Sequence, residues 1–386
     1  MQISEANRLR LLYFLVFCCT AAWLPILADF LKDRGLNGLR IGTVLSVTPL
    51  MMFLVQPFYG MLADRWGYKR CLLRSSFLAA ISYVFFLIDG GFVYLLIVTA
   101  VMAVFYNTIQ PILDSLSLQL AQADPKFSYG SLRIAGAAGW AFMGITAGYW
   151  IDQVSTSVIF IFSAGSMLLA FGLAWFVSNE RSKEPQSEEH QNHQYWREIF
   201  QNRTLLLLLF AVFLVSAGGT TIWNFYSIYL KENGASAKLV GYGLSFQGLC
   251  ELPFFYFSAK IIQRLGIKNT LLLTIFATSL RMFLYSAVKT PEYAIAIEVL
   301  HGISWSLFWV VCVEYVNVLV RPEWRASGQS LLYAAYYGIG AIVGNFWTGY
   351  LYDAKLKIGE IFFLNAVLVA LVGLVLGWYL WRRKEL

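Results

Sequence analysis

Charged side chains are scarce: 13% of the 386 residues are Asp, Glu, Lys or Arg, about half the share of an ordinary soluble domain. That excludes a water-soluble globule of this length, because its surface could not be wetted. Histidine occurs three times and cysteine five. Cys18, Cys19, Cys71, Cys250 and Cys312 lie in or beside apolar runs without metal-ligand spacing, so they read as packing residues, not as disulfides or zinc ligands. There is no Walker-type phosphate loop, no dinucleotide-binding glycine fingerprint, no zincin helix and no paired catalytic motif. ATP hydrolysis within this chain, redox chemistry, a cofactor and a metal therefore lack support, and an enzyme is not expected.

What fills the sequence is apolar: 59% hydrophobic residues and a mean hydropathy of +0.62. Runs of about 20 residues, the length that crosses the hydrocarbon core, fall near 9–31, 41–63, 71–89, 92–120, 132–152 and 156–178, and again near 204–230, 239–262, 270–288, 292–320, 329–352 and 359–381. No small-residue cleavage site follows the first run, so it stays as a helix. The expected fold is an all-α membrane protein of twelve transmembrane helices. Its domains are a six-helix bundle over 1–178, a linker over 179–203 and a second six-helix bundle over 204–386. The linker, rich in Glu, Gln, Asn, Ser and His, reads as flexible with a short surface helix near 195–201. His190 and His193 inside it are three residues apart, and a solvated loop is favoured over a metal site.

The net charge of +7 does not point to nucleic acid in such a chain; the partner it addresses is the bilayer, through the side each charge occupies. One set of loops and ends carries nineteen Lys and Arg, the opposite set eight. The positive-inside rule then puts both termini and the linker in the cytoplasm of a plasma membrane, a bacterial inner membrane being expected.

The two sets of six are copies. Arg65, Gly67, Lys69, Leu72 and Leu73 return 199 residues later as Arg264, Gly266, Lys268, Leu271 and Leu272. Upstream, Leu31, Lys32, Gly35, Gly42, Leu45 and Ser46 return as Leu230, Lys231, Gly234, Gly241, Leu244 and Ser245. A duplicated half in an apolar chain implies two pseudo-symmetric bundles, as in parallel-repeat transporters. Helix five carries Gly136, Gly139, Gly144 and Gly148, and helix eleven Gly338, Gly340, Gly344 and Gly349. Small residues let helices approach closely; packing explains them, and a part in rocking is open.

The turn at 60–70, Gly-Met-Leu-Ala-Asp-Arg-Trp-Gly-Tyr-Lys-Arg, resembles the signature loop between helices two and three of the major facilitator superfamily. Its charges are open to two readings, a topogenic turn or a gate in which Asp64 and Arg65 form ion pairs that break as the bundles rock, with Gly67, Lys69 and Arg70 completing the gate. The second copy has Gln263 in place of the acid, which weakens an equivalent latch there.

Arg133, near the start of helix five, and Arg281, midway along helix nine, lie inside spans. An unpaired charge there costs about 2.5–3.5 kcal/mol on insertion scales. The acids at comparable depth are Asp114, Glu251, Glu298 and Glu314, with His301 beside Glu298. The expected pairings are Asp114 with Arg133, and Glu251 or a helix-ten acid with Arg281.

Pro111-Ile-Leu-Asp114 and Tyr129-Gly-Ser-Leu-Arg133-Ile-Ala-Gly-Ala-Ala-Gly-Trp140 resemble the lactose permease and phenylpropionate permease branch of the major facilitators. The resemblance implies that Asp114 and Arg133 bind substrate, and it puts Trp140 where sugar permeases place a stacking indole; a fixed structural ion pair and a packing aromatic are the alternatives. It continues in Arg281 and His301, which keep the spacing of the helix-nine Arg and helix-ten His of lactose permease. Glu251 matches the helix-eight acid of phenylpropionate-type members, and lactose permease's own acid falls at Gly248. Ser304 stands where lactose permease has its proton-carrying Glu, so the proton step needs another acid. Glu251 is the first choice and Glu298 the second, with Arg281 and His301 biasing the equilibrium. Gln247, one turn before Glu251, could reach substrate. Trp305, Phe308 and Trp309, and the run Trp223-Asn224-Phe225-Tyr226, are candidate cavity walls, with core and lipid-facing roles open.

The function implied is proton-coupled symport of a small organic solute into the cell by alternating access around a central cavity. Sugars or oligosaccharides come ahead of aromatic carboxylates and nucleosides. The expected partners are the solute, the proton and lipid, with the chain acting as a monomer. Efflux of amphipathic compounds and a transport-inactive membrane sensor are the alternatives.

Overall fold

The structure, a computed structural model, describes residues 4–124, 126–177, 201–321 and 324–382. These form twelve helical rods, and no strand occurs among the described residues. In chain order they are α1 (Glu5–Trp23, continued by Leu27–Asp33), α2 (Gly38–Trp66), α3 (Tyr68–Phe85), α4 (Phe92–Tyr106, continued by Ile109–Ala123), α5 (Tyr129–Gln153) and α6 (Val158–Ala174). Then follow α7 (Arg203–Glu232), α8 (Ala237–Leu265) and α9 (Ile267–Ala287). In α10 an opening Pro291–Ile297 leads through Glu298–Leu300 and a π-helical Gly302–Leu307 into Phe308–Leu319. In α11 Arg325–Tyr333, a π-helical Ala334–Gly340 and Ala341–Asp353 follow one another, and α12 spans Ile358–Arg382.

Local chemistry sets the ends and breaks. Side chains of Ser4, Asn37, Ser128 and Asn202 accept from the first free backbone N–H groups of α1, α2, α5 and α7, which would otherwise be unsatisfied. α1 is interrupted just at Pro25 and α4 just before Pro111, since proline has no N–H for the helical ladder. All four positive-φ glycines fall into two copies of one geometry: Gly35 (77°) with Gly234 (86°), and Gly67 (88°) with Gly266 (78°). Each pair is 199 residues apart, so the repeat read in the sequence is a repeat of backbone conformation. A side chain at these angles would be strained, and glycine is not.

Hydrophobicity alone does not sort helices inside a bilayer; close packing does. A Cβ on Gly139 of α5 would lie 2.3 Å from the Phe14 carbonyl oxygen of α1, and one on Gly344 of α11 2.4 Å from that of Ala217 in α7. Bare glycine thus brings α1 onto α5 and α7 onto α11, backbone against backbone. The described residues cluster into two compact units, one within Met1–Pro185 together with Ala235–Gly248, the other within Gln186–Gly234 together with Leu249–Leu386. The first half of α8 falls in the first unit for a visible reason. Asp152 accepts from the backbone N–H of Ala237 (2.8 Å) and Lys238 (2.9 Å). A Cβ on Gly241 would lie 2.3 Å from the Gly144 oxygen, and Ser245 donates to Ala141 O at 2.7 Å.

Candidate functional site

The first unit builds its polar cluster from α1, α4 and α5. Tyr13 donates to Asp114 Oδ1 at 2.7 Å and Tyr129 donates to the same oxygen at 3.0 Å. Arg133 in turn donates to the Tyr129 oxygen at 2.6 Å. Asp114 and Arg133 thus meet through a bridge: the phenol of Tyr129, one turn before Arg133, stands between them and uses its hydroxyl as acceptor and donor at once. Phe17 closes one side, its ring 6.0 Å from the guanidinium carbon. That approach depends on Gly136, where a Cβ would come within 2.8 Å of the Phe17 ring. Arg133 spends a single hydrogen bond on this cluster out of five N–H donors.

Trp140 and Gln247 belong to the same unit. The Trp140 indole N–H is committed to Leu244 O at 3.1 Å, and a Cβ on Gly248 would touch its ring at 3.1 Å. Gln247 is buried. Of the turn at 60–70, Arg65 and Arg70 are exposed and Lys69 is half-buried, with Gly67 buried between them. The side chain of Asp64 lies outside the described ones, as do His190, His193 and all but Gln201 of the short helix expected near 195–201.

The second unit holds a denser network on α8, α9 and α10. Arg281 bonds Glu298 Oε2, and Tyr285 donates to the other oxygen of Glu298 at 2.5 Å while accepting from Arg281 Nε at 3.0 Å. Arg281 also reaches His301 Nδ1 at 2.7 Å and Ser304 Oγ at 3.4 Å. His301 Nε2 meets Glu251 Oε1 at 2.8 Å. A guanidinium can only donate, so Nδ1 is the acceptor and the ring proton sits on Nε2, pointing at Glu251. The helix-ten acid that pairs with Arg281 is thus Glu298, Glu251 belongs to His301, and Glu314 is exposed. Burial separates the two carboxylates: the Glu298 side chain is 0% exposed and that of Glu251 27%.

Backbone detail makes this meeting possible. A Cβ on Gly302 would lie 2.4 Å from Cys250 O and 2.1 Å from the Phe254 ring, so only glycine after His301 lets α10 come this near α8. The carbonyls of the π-helical stretches of α10 and α11, stretches of a kind frequent at functional sites, also accept from side chains of other helices. Hydroxyls from neighbouring helices serve two of them: Thr278 of α9 donates to Ser304 O at 3.1 Å and Ser216 of α7 to Tyr336 O at 2.6 Å.

Sequence reasoning missed Tyr13, Tyr129 and Tyr285. A signal for two of them was present. Tyr129 and Tyr285 each lie four residues from an intramembrane arginine, on the same helix face.

The family described as "MFS_1 like family" matches residues 6–363. The maltose permease of Geobacillus stearothermophilus is 26% identical over 97% of this chain and 94% of its own length. The sucrose permease of Escherichia coli is 25% identical over 96% and 92%. A crystal structure of the nucleoside transporter NupG superposes with a TM-score of 0.86, covering 99% of this chain and all of that one at 18% identity, which establishes the shared fold. On these matches, and on eight helices among the described residues that are long and apolar enough to cross a membrane, the chain belongs to the MFS_1-like family: it is an integral multi-pass membrane protein, a secondary transporter of the major facilitator type and not an enzyme.

Proposed function

We propose that this transporter takes up a sugar, an oligosaccharide ahead of a monosaccharide, together with a proton. The observation that carries the reading is the charge balance of the Arg281 network. Arg281 and Glu298 pair in full burial, and His301, whose Nδ1 accepts from Arg281, turns its Nε2–H toward Glu251, a second, part-exposed carboxylate whose charge lies outside that pair. Protonation of Glu251 cancels that charge without disturbing the Arg281–Glu298 pair. Proton and solute each favour one conformation over the other, and that differential affinity is what couples them. Asp114 and Arg133 supply an acceptor and unspent donors for sugar hydroxyls, with Trp140 and Gln247 in the same unit, and the maltose and sucrose permeases among the relatives support a sugar.

The same reading keeps the bundles at 1–178 and 204–386, puts both termini in the cytoplasm of a bacterial inner membrane, has the chain act as a monomer, and gives the turn with Asp64, Arg65, Gly67, Lys69 and Arg70 a gating role. The test is uptake of maltose and sucrose into proteoliposomes with and without an inward proton gradient. Glu251→Gln, neutral like the protonated acid but unable to release a proton, should exchange sugar across the membrane yet lose gradient-driven accumulation. Accumulation intact in that variant sinks Glu251 as the proton carrier, and wild-type uptake indifferent to the gradient sinks the symport itself.

A further inference from the structure

We infer that Trp305, Trp309, Tyr333 and Tyr337 form a ring-stacking subsite in the second unit that takes the second ring of a two-ring solute and so selects by ring number; the inference rests on the sugar-uptake reading. Two stacked pairs build it. Trp305 and Trp309 on α10 have centroids 5.8 Å apart at 29°, and Tyr333 and Tyr337 on α11 5.5 Å apart, also at 29°. The pairs meet in a corner, with Trp309 edge-on to Tyr333 (4.9 Å, 83°) and inclined to Tyr337 (5.2 Å, 60°). Phe308 and Tyr336 behind the corner are buried, Tyr333 is 43% exposed, and the other three are partly exposed. The corner is thus part-exposed, most at Tyr333, and is backed by the buried rings of Phe308 and Tyr336.

Three observations separate it from ordinary lipid-facing aromatics. The strip is continuous with the charged network: Trp305 lies edge-on to Trp223 at 5.1 Å, and Trp223 edge-on to His301 at 5.4 Å. The indoles sit inside the span of α10, not at the membrane interface where aromatic belts gather. Trp305 and Tyr337 lie within the two π-helical stretches, which re-aim side chains at the expense of regular hydrogen bonding. Together these place a strip longer than one pyranose ring beside the His301–Glu251 pair. Aromatic faces stack on the apolar face of a sugar or on an aryl group, so a solute held by one ring near the polar groups gains a further contact only if it carries another.

Isothermal titration of the purified full-length chain in nanodiscs with glucose, maltose and 4-nitrophenyl glucoside tests this. Wild type should bind the two-ring ligands more tightly than glucose. Trp309→Leu should weaken both two-ring ligands about tenfold, the order expected of one aromatic contact, while leaving glucose nearly unchanged, and Trp309→Phe should recover most of the loss. Tyr333→Leu, at the most exposed ring, should act in the same direction and guards against a folding defect at Trp309. Equal weakening of all three ligands, or of none, overturns the subsite while leaving sugar uptake standing. Wild type that binds none of the three overturns the sugar reading and the subsite with it.

Discussion

Arg133 in the first unit and Arg281 in the second each join a polar cluster, and the two are satisfied in opposite ways. Arg281 is 2% exposed and spends its donors on Glu298, Tyr285, His301 and Ser304. Arg133 makes one hydrogen bond, to a phenol that hands the contact on to Asp114. A saturated guanidinium fixes its neighbours, whereas one with spare donors is ready for a ligand. On the proposed reading, Arg133 hydrogen-bonds the solute while the Arg281 network manages charge, in two halves that share one backbone plan.

The harshest way to break the comparison is Arg281→Met. It leaves Glu298 buried beside Tyr285 with its cation gone, and removing one partner of a buried pair costs about 3–5 kcal/mol. A large fall in thermal stability is expected. The double variant Arg281→Met with Glu298→Leu should regain most of it, because the uncompensated charge has gone as well. A double variant no better than the single one would mean that the pair is not what holds α9 to α10. Gly302→Ala comes next. Its methyl would meet Cys250 O and the Phe254 ring, and such overpacking costs about 1–3 kcal/mol. It should stretch the His301–Glu251 contact, so gradient-driven accumulation should fall further than sugar exchange; equal losses in both would leave Gly302 a packing residue only.

How much of this could be read beforehand depends on the range of the interaction. The duplication was legible because it rests on residues with local jobs: Gly35 and Gly67, and their copies Gly234 and Gly266, are needed for a backbone angle whatever surrounds them. The need of Arg133 and Arg281 for partners was legible from the cost of charge in a membrane. Which partner was not, because Glu251, Glu298 and Glu314 sit at similar depth and only helix rotation decides which of them meets Arg281. That Asp114 serves Arg133 through Tyr129 was not legible, because it depends on a tyrosine one turn away being long enough to stand between them. Nor does sequence periodicity say that the first half of α8 packs on α5, or that α10 and α11 widen into π-helix; both depend on how neighbouring helices fit.

Arg133→Lys sharpens the contrast with a smaller effect. Charge is kept, but an ammonium lacks the planar fork, so sugar affinity should fall at least about tenfold with little change in thermal stability. Unchanged affinity, measured by calorimetry, would take Arg133 out of recognition.

The smallest effect is the most discriminating, because the same change can be made in both sites. Tyr129→Phe removes the hydroxyl that links Arg133 to Asp114. That region is only part-buried, so water can replace the lost contacts, and the cost to folding should stay near about 1 kcal/mol or below. Arg133 is no longer tethered, however, and sugar affinity should drop severalfold. Tyr285→Phe removes a hydroxyl bonded to both Arg281 and Glu298 in a fully buried place that water cannot readily fill. Its cost should appear as about 1.5–3 kcal/mol of stability, the scale for hydrogen bonds to charged groups, with sugar affinity kept. A crossed pattern, affinity lost in one variant and stability in the other, is what an open site and a saturated site require. If Tyr285→Phe instead weakens sugar binding as much as Tyr129→Phe does, the second network takes part in recognition directly and the division of labour between the two arginines fails.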